Sequence, residues 1–557
     1  MGIAGPGRNE RGTVTTVKGN LGQDPQRDDS GKQGTAGAIL ETPRWRQRLD
    51  DFRGQPGGSG TGPREPRWRS VARSTRELAA RNPVFAIAFA AAIVPRLVAM
   101  LGYQPAILFR MDSFDYLWGA LHPSPNVINP SGYSLFLWLL RPLHSLVLVA
   151  ALQHLMGLGM AVLVYGLLKR YGLPGWGATL AAAPVLFDPA QLLLEQLVMA
   201  DVLAMTLLLG AFVLLLNERL SPWRLATAGL LLGLSTIVRP TVLPLIVLIA
   251  AYLLIKRVGW RRVAVTVAAC ALPVVAYAGW FDAAHGTFNL TESNGLFLWS
   301  RTMSFAKCSV IKPPPDLRAL CPEAQPGRLA SAKLYRRPPP SSYLWDRGTW
   351  QWQPPSRQFV PNAAAFTQAK NARAQRFAVK AITSQPLGYA HVVLHETSLP
   401  FRTLSNKWRF PVDKPSDLWY LAQGNFRYAT AGVVGYTGSK GPINQIQRNK
   451  YATYMKQPFV KMMGLYQKII FLPGPLLGLI ILAGFVGLLI PRRRSWAAAL
   501  LWMSAVVVMV VPTAVHEYTY RYLVPAVPLF CISAALMFRK PGAKPAIQDA
   551  AAPPAGD

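Results

Sequence analysis

Acidic side chains lie beside apolar segments of this chain, where a charge is costly unless it has a function. The run Arg110-Met111-Asp112-Ser113-Phe114-Asp115-Tyr116 follows the first apolar segment. Its two acids are three residues apart and so fall on one face of a helix. A carboxylate at this level can act as a general base toward an acceptor hydroxyl, so Asp112 and Asp115 are the predicted catalytic residues. Asp115 could instead order the loop by pairing with Arg110 or Arg96, which leaves the base open between the two acids.

Basic side chains occur at the same level and suit an anionic group. Arginine holds a phosphate through paired, charge-assisted hydrogen bonds. The predicted phosphate-binding residues are Arg239, Arg521, His516 and Arg96, and the predicted supporting acids are Asp201 and Glu195. Such groups suit displacement of a polyprenyl phosphate from the anomeric carbon of a sugar, where the protein must orient the acceptor and neutralise charge. The alternative for the basic residues is ordinary interfacial placement, with long side chains reaching toward headgroups.

The elements that must position these residues are membrane helices. Hydrophobic residues make up 51% of the chain and charged residues only 15%, against roughly 25% charged residues in a soluble domain. A helix needs about 20 apolar residues to cross the hydrocarbon core. The candidate spans are Asn82–Tyr103, Ser145–Leu168, Trp176–Phe187, Leu197–Leu216, Leu225–Val238, Thr241–Ile255, Val263–Phe281, Ile469–Ile490, Trp496–Val515 and Leu523–Phe538. The predicted fold is therefore an all-α polytopic membrane protein of about ten transmembrane helices, with a large extracytoplasmic insert of mixed structure.

Charge between the spans predicts the orientation. With the N-terminus inside, Lys and Arg cluster at every inner end, as the positive-inside rule requires. The predicted organisation is a disordered basic cytoplasmic tail at 1–81, a transmembrane module at 82–283 with its catalytic first outer loop at 104–144, an extracytoplasmic domain at 284–465, C-terminal helices at 466–539 and a cytoplasmic tail at 540–557. We expect a multi-pass protein of the inner (plasma) membrane with both termini in the cytoplasm.

The formal net charge of +33 is concentrated in the insert, where residues 292–461 hold 24 Lys and Arg against 7 Asp and Glu. Because the basic residues flank membrane spans, anionic lipid or a phosphorylated substrate is the expected partner and nucleic acid is not. Cys308 and Cys321 lie in the insert and predict a disulfide if it is extracytoplasmic. Zinc is disfavoured because the two thiols lack further ligands, so no metal site is predicted. No cofactor is required by the sequence, and a divalent cation stays open.

The order of these motifs resembles the GT-C glycosyltransferase superfamily, in particular its protein O-mannosyltransferase and lipid A aminoarabinose transferase branch. The resemblance rests on Asp112-Ser-Phe-Asp-Tyr, Asn129-Pro-Ser-Gly-Tyr, an acid in the fourth span and Arg239-Pro240. It implies a polyprenyl-phosphate sugar donor and an acidic base in the first outer loop, usually within an Asp-Glu pair. Asp112 matches the first position of that pair and Ser113 departs from the second. The resemblance covers about residues 82–281 and, more weakly, the last three spans.

The leading hypothesis is a membrane glycosyltransferase that uses a polyprenyl-phosphate sugar donor and an extracytoplasmic acceptor, which is a glycan, a lipid or a protein. The alternative is a polytopic transporter or a flippase for lipid-linked sugars, which should show two related halves with interrupted helices. No such internal symmetry is visible in the sequence. A non-enzymatic envelope scaffold would leave the acids of the outer face unexplained.

Overall fold

The structure, a computed structural model, describes residues 79–218, 220–325, 327–331, 337–345, 349, 365–402, 409–412, 446–448, 453–493 and 495–539. The predicted tails at 1–81 and 540–557 fall outside these residues, except for 79–81. The described part is helical, with two strands of two residues each. Together with the apolar character of its helices, this confirms the all-α polytopic fold class.

Two groups of helices make up the bundle, one before and one after the insert. The first group is α1 (Pro83–Gly102), α2 (Arg110–Leu121), α3 (Gly132–Leu140), α4 (Leu146–Arg170), α5 (Gly175–Phe187), α6 (Pro189–Gln196), α7 (Asp201–Leu215), α8 (Pro222–Val238), α9 (Leu245–Ile255) and α10 (Trp260–His285). The second group is α17 (Phe459–Ile469), α18 (Gly474–Leu489), α19 (Trp496–Val515), α20 (Tyr520–Leu523) and α21 (Val527–Leu536). Strands β1 (Tyr103–Gln104) and β2 (Tyr454–Met455) join the two groups in an antiparallel pair.

Local sequence signals explain where several spans begin. The hydroxyls of Ser145, Ser221 and Ser495 each accept a hydrogen bond from a backbone N–H in the first turn of α4, α8 and α19. Those N–H groups have no partner inside the helix, so a serine cap satisfies a donor that lipid could not. Proline occupies a first-turn position in α1, α6 and α8, where its missing N–H costs nothing.

Span by span, the described helices match the ten predicted segments in position but not all in length. Four helices, α1, α4, α10 and α19, are long and apolar enough to cross a membrane. Two bent pairs, α5 with α6 and α17 with α18, bring the number to six if each pair is one span. The other four segments form shorter apolar helices of 10–17 residues. Helix α17 begins at Phe459, so the predicted domain boundary at 465 falls inside it.

Apolar side chains on the outside of the bundle show which faces meet lipid. On α1, Ile87 and Val94 are more than half exposed, as is Leu272 on α10. Such faces are unfavourable in water but match hydrocarbon, so the surrounding lipid replaces a hydrophobic core as their solvent. Inside the bundle, α8 crosses α10 at close range. A Cβ added to Gly229 or Gly233 would lie 2.2 Å from a backbone oxygen of α10, which explains these small residues one turn apart.

The described part of the insert is mainly helical, and its described strand is β2, which pairs with β1. It contains α11 (Asn294–Thr302), α12 (Cys308–Ile311), α13 (Arg328–Ser331), α14 (Pro340–Trp345), α15 (Gln368–Ser384) and α16 (Pro386–Ser398). Buried side chains of α11, α14 and α15 form a second core, which extends to the end of α10 through Tyr277 and Phe281. The insert therefore has its own core and continues from the end of a bundle helix.

Candidate active site

The segment between α1 and α2 fixes the start of the acidic helix. Tyr103 and Gln104 pair with Met455 and Tyr454 in the two-stranded sheet. Ile107 then exchanges backbone hydrogen bonds of 3.0 Å with the segment 196–198, which leads directly to α7. The hydroxyl of Ser113 donates to the Val198 carbonyl at 2.8 Å and accepts from the Phe109 N–H at 2.7 Å. These bonds hold the first turn of α2 against the start of α7.

Four charged side chains from distant parts of the chain meet at this end of the bundle, and we call them the charge cluster: Asp112, Asp201, Arg239 and Arg521. Arg521 Nη1 lies 2.7 Å from Asp112 Oδ2, and Arg239 Nη2 lies 2.7 Å from Asp201 Oδ1. Arg521 Nε is also 4.0 Å from Asp201 Oδ2, which links the two pairs. The predicted base, one predicted supporting acid and two predicted phosphate-binding arginines are thus brought together.

Burial differs across the charge cluster in a way that bears on its chemistry. The side chain of Asp201 is fully buried, whereas that of Asp112 is 26% exposed. A buried carboxylate between two arginines is suited to fixing their positions. A partly exposed carboxylate at the edge can instead reach an incoming hydroxyl. The geometry therefore gives the two acids different surroundings, with Asp112 the more accessible.

Aromatic rings hold both guanidinium groups of the charge cluster. The Cζ atoms of Arg239 and Arg521 lie 5.3 and 5.1 Å from the centroid of the Tyr522 ring. Arg521 also lies 5.2 Å from the Phe109 ring. Cations are attracted to the faces of aromatic rings at such distances, so one tyrosine helps to keep two like charges near each other.

Hydrogen-bonding capacity is left over in the charge cluster. Among the described residues, Asp201 Oδ2, Arg239 Nε and Arg521 Nε are buried and have no hydrogen-bond partner. A buried polar group without a partner costs free energy, so two unused N–H donors favour an acceptor that carries negative charge.

An apolar crevice opens beside the charge cluster, between α7, α19 and the turns that follow α8 and α20. Its polar lining residues are Asp201, Arg239, Thr241 and Tyr522. The other lining residues are apolar: Ala204, Met205, Leu208, Val242, Val508, Pro512 and Pro525. With a volume of about 20 Å³, the crevice has room for about one water molecule, and it lies where charged and apolar side chains meet.

Asp115 faces away from the arginines and orders the loop that follows α2. Its two carboxylate oxygens accept hydrogen bonds from the side-chain amides of Asn126 and Asn129, at 2.8 and 3.1 Å. Asn126 in turn accepts the Ile128 N–H through its own oxygen, so its amide orientation is fixed. Burial raises the pKa of Asp115 from 3.8 to about 6, against the lowering effect of the two amide donors, and Asp112 adds to the rise. Its described partners are thus neither of the arginines considered from the sequence.

Arg96 and Glu195 lie in a separate buried group. Arg96 Nε is 2.9 Å from Glu195 Oε2, and His154 Nδ1 is 2.8 Å from the same oxygen. Arg96 also donates to the carbonyls of Val185 and Leu186. The structure therefore places these two predicted site residues with each other, where they tie α1 and α4 to the bend between α5 and α6.

His516 lies at the end of α19 under the insert. Its Nδ1 is 3.1 Å from Ser300 Oγ, and its ring packs edge-on against Phe297 at 4.8 Å. Burial, with the nearby charges of Arg301 and Arg521, lowers the pKa of His516 to about 3. At this pKa the imidazole is neutral at pH 7, and its described side-chain hydrogen bond is with Ser300.

Cys308 and Cys321 are joined by a disulfide with a Cα–Cα distance of 6.0 Å. Within the described residues these cysteines and Glu323 form a group with metal-ligand spacing, but the disulfide uses both sulfur atoms. Cys270 and Cys531 are free and buried.

Several residues of the site were not found from the sequence. Tyr522 directly follows Arg521, and a run of tyrosines beside an arginine was the available signal. Asn129 belongs to a motif that was noted, whereas nothing local marks Asn126 as a partner of Asp115. Arg301 and Glu396 of the insert, which contact the segment before Arg521, carry no local signal either.

Comparisons with known proteins give one solved structure to report. No family model and no curated protein matches the sequence. The chain is similar to the oligosaccharyltransferase of Archaeoglobus fulgidus in its apo form, at 13% sequence identity and a TM-score of 0.33. The match covers 80% of this chain and 50% of the oligosaccharyltransferase chain. The chain therefore spans about half the length of that protein.

Proposed function

We propose that the protein is a membrane glycosyltransferase that moves a sugar from a polyprenyl-phosphate donor to an acceptor hydroxyl on the extracytoplasmic side. The observation that supports this most directly is the charge cluster, in which two carboxylates and two guanidinium groups from distant parts of the chain meet. The unused N–H groups of Arg239 and Arg521 suit the phosphate of the donor. The acceptor is a glycan, a lipid or a protein of the cell envelope.

In this reaction the acceptor oxygen attacks the anomeric carbon of the sugar. The bond between that carbon and the phosphate oxygen breaks, and the electron pair leaves with the polyprenyl phosphate. The donor is a phosphodiester with one negative charge, and the leaving phosphate gains a second as the bond breaks. Two guanidinium groups therefore stabilise the transition state more than the bound donor, which is the requirement for catalysis.

Asp112 is the proposed base that accepts the hydroxyl proton. It is partly exposed, and it lies 2.7 Å from Arg521, so an acceptor that reaches it is beside the proposed phosphate position. Asp201 is assigned to holding Arg239 and Arg521 in place. Asp115 is assigned to ordering the loop through Asn126 and Asn129, because both its oxygens are already occupied.

The proposed setting is the plasma membrane, with both termini in the cytoplasm and the 284–465 insert outside. This orientation places the charge cluster at the extracytoplasmic end of the bundle. A reporter fused at Gly424, which lies outside the described residues, should be extracytoplasmic. Activity of that reporter in the cytoplasm would overturn the orientation.

The test of the proposed activity is turnover by the purified protein in lipid nanodiscs. We expect one member of a panel of radiolabelled polyprenyl-phosphate sugars to be hydrolysed or transferred. Arg239→Gln should weaken donor binding by roughly tenfold or more, because it removes a charge-assisted contact of about 1.5–3 kcal/mol. Arg376→Gln is the matched control, since that arginine is exposed on α15 of the insert. Movement of the donor across the bilayer without chemical change would instead establish the flippase alternative.

A further inference from the structure

The segment 514–518, which covers the end of α19 and leads to Arg521, is held by the insert from several sides. Tyr389 Oη of α16 donates to the Ala514 carbonyl at 3.0 Å. Glu517 Oε2 accepts the Ser341 N–H of α14 at 3.0 Å. With the contact between Ser300 and His516, helices α11, α14 and α16 all bond to these five residues.

An ion pair of the insert, with one partner fully buried and the other 20% exposed, is central to this contact. Arg301 of α11 is fully buried, and its Nη1 donates to the His516 carbonyl at 3.0 Å. The same Nη1 lies 2.8 Å from Glu396 Oε1 of α16. Glu396 Oε2 accepts the Tyr518 N–H at 2.9 Å. The pair thus bonds to the backbone on both sides of residue 517.

This ion pair contributes more to fixing the positions of the groups that it joins than to the free energy of unfolding. Removing two charges from water costs several kcal/mol per ion, so a buried ion pair adds little net stability compared with apolar packing. It does fix one arrangement of the groups that it joins. Here those groups are the backbone of residues 516 and 518, three residues from the guanidinium that contacts Asp112.

The short path from the ion pair to the charge cluster limits how Arg521 can move. Thr519 precedes α20, a single turn that contains Arg521 and Tyr522. A displacement of Tyr518 would therefore shift the start of this turn, together with the Arg521 guanidinium and the Tyr522 ring that it contacts. A shift of about 1 Å is enough to impair a catalytic or binding group.

We propose that Arg301 and Glu396 are positioning residues for Arg521, so that the insert is a structural part of the donor-phosphate site. This inference rests on the proposed function, in which Arg521 binds the donor phosphate. It gives the insert a defined role whatever acceptor it also meets. By linkage, a ligand that binds Arg521 must also stabilise the contact between the insert and segment 514–518.

The experiment measures binding of a polyprenyl phosphate without sugar to the full-length protein in nanodiscs. Glu396→Gln retains the size of the side chain and can still accept the Tyr518 N–H, but it presents an uncharged group to Arg301. We expect the dissociation constant of this variant for the polyprenyl phosphate to rise by about tenfold, the effect of losing a charge-assisted contact. The matched control is Glu323→Gln, which removes an exposed carboxylate paired with Arg337 in the same insert. It should leave the affinity within about twofold of wild type.

Hydrogen exchange gives a readout that a general loss of stability would not reproduce. In wild type, the ligand should slow exchange in the peptide that spans residues 514–523. In Glu396→Gln this ligand-dependent protection should be lost while protection of α15 is retained. If Glu396→Gln does not fold, Ser300→Ala removes only the hydroxyl that contacts His516, and it should weaken binding in the same direction.

The outcomes separate the two proposals. Wild type that fails to bind any polyprenyl phosphate would refute the proposed function, and this inference with it. Wild type that binds, with folded Glu396→Gln or Ser300→Ala binding equally well, would refute only the positioning role. Weaker binding by the variants, with Glu323→Gln unchanged, supports both.

Discussion

Replacing Asp112 by asparagine separates the proposed chemistry from the fold. The substitution keeps the size of the side chain and removes the proton-accepting charge. Loss of a general base lowers turnover by a factor on the order of 10²–10⁴. At about 1.36 kcal/mol per tenfold, this corresponds to about 2.7–5.4 kcal/mol of transition-state stabilisation.

The structure predicts that donor affinity responds differently from turnover. In the unliganded protein Asp112 Oδ2 competes for Arg521 at 2.7 Å. Asparagine competes less well for a guanidinium, and Arg239 keeps its own partner Asp201 at 2.7 Å. We therefore expect the dissociation constant for the donor to stay the same or to fall, while turnover drops. Loss of a residue that merely supported the site would instead weaken donor binding and lower turnover together.

Asp115→Asn is the matched control because it makes the same chemical change one helical turn away. Both oxygens of Asp115 accept amide hydrogens, so an asparagine there would set its own NH₂ against that of Asn126 or Asn129. Leaving a buried group unsatisfied costs about 1–3 kcal/mol of stability. We expect a lower melting temperature for this variant and a smaller loss of turnover in the protein that remains folded.

The assay is single-turnover transfer in nanodiscs, with donor binding and thermal melting measured on the same preparations. Full activity of Asp112→Asn would remove it as the base. If Asp115→Asn alone abolished turnover without lowering the melting temperature, the two roles would be reversed. Tolerance of both changes would move the search to Asp201 and Glu517, and tolerance of all four would favour the transporter alternative.

Three further predictions concern a closely packed glycine, the raised pKa of an aspartate and the disulfide. Gly157→Ala should destabilise the protein by about 3–5 kcal/mol, because its Cβ would lie 1.8 Å from a carboxylate oxygen of Glu195 and break the buried pair of Glu195 with Arg96. Gly159→Ala is the control, since its Cβ would meet open space. Equal melting temperatures for the two variants would contradict the packing around Gly157. Because the pKa of Asp115 is raised to about 6 in the folded protein, its carboxyl group stabilises the fold most below pH 4, and this contribution is lost as pH rises through 6. The melting temperature of wild type relative to Asp115→Asn should therefore fall between about pH 4 and 7. A melting-temperature difference that did not change with pH would argue against the raised pKa. The Cys308–Cys321 pair should appear as one linked peptide in non-reducing mass mapping, whereas free alkylation of both thiols would exclude the disulfide.

Much of the fold could be predicted from composition and spacing. A hydrocarbon solvent leaves helices as the economical way to satisfy the backbone, so apolar runs locate them to within a few residues. The first span, predicted from Asn82, begins at Pro83, and the predicted Trp496–Val515 span has the same bounds in the structure. The alternation of spans also predicts that Asp112, Asp201, Arg239 and Arg521 lie at one end of the bundle.

The insert was harder to predict because water and a small local core govern it. The Ala, Gln, Lys and Arg residues of Gln368–Ser384 favour a helix, and α15 occupies this range. Its partners could not be predicted, because packing between separate segments leaves no periodic signal. The contact of Arg301 with Glu396 joins residues about a hundred positions apart and carries no such signal.

The sequence by itself determined that the protein is a helical, multi-pass membrane protein and which charged side chains lie near the ends of its apolar helices. Only the tertiary structure decided which carboxylate contacts which arginine. Arg521 and Asp112 are 409 residues apart, so no spacing rule relates them. Asp112 and Asp115 share a helix face by spacing, yet at about 100° per residue they point about 60° apart. That rotation directs one carboxylate to an arginine and the other to two asparagines, because the neighbours around a helix, and not its own sequence, supply the partners.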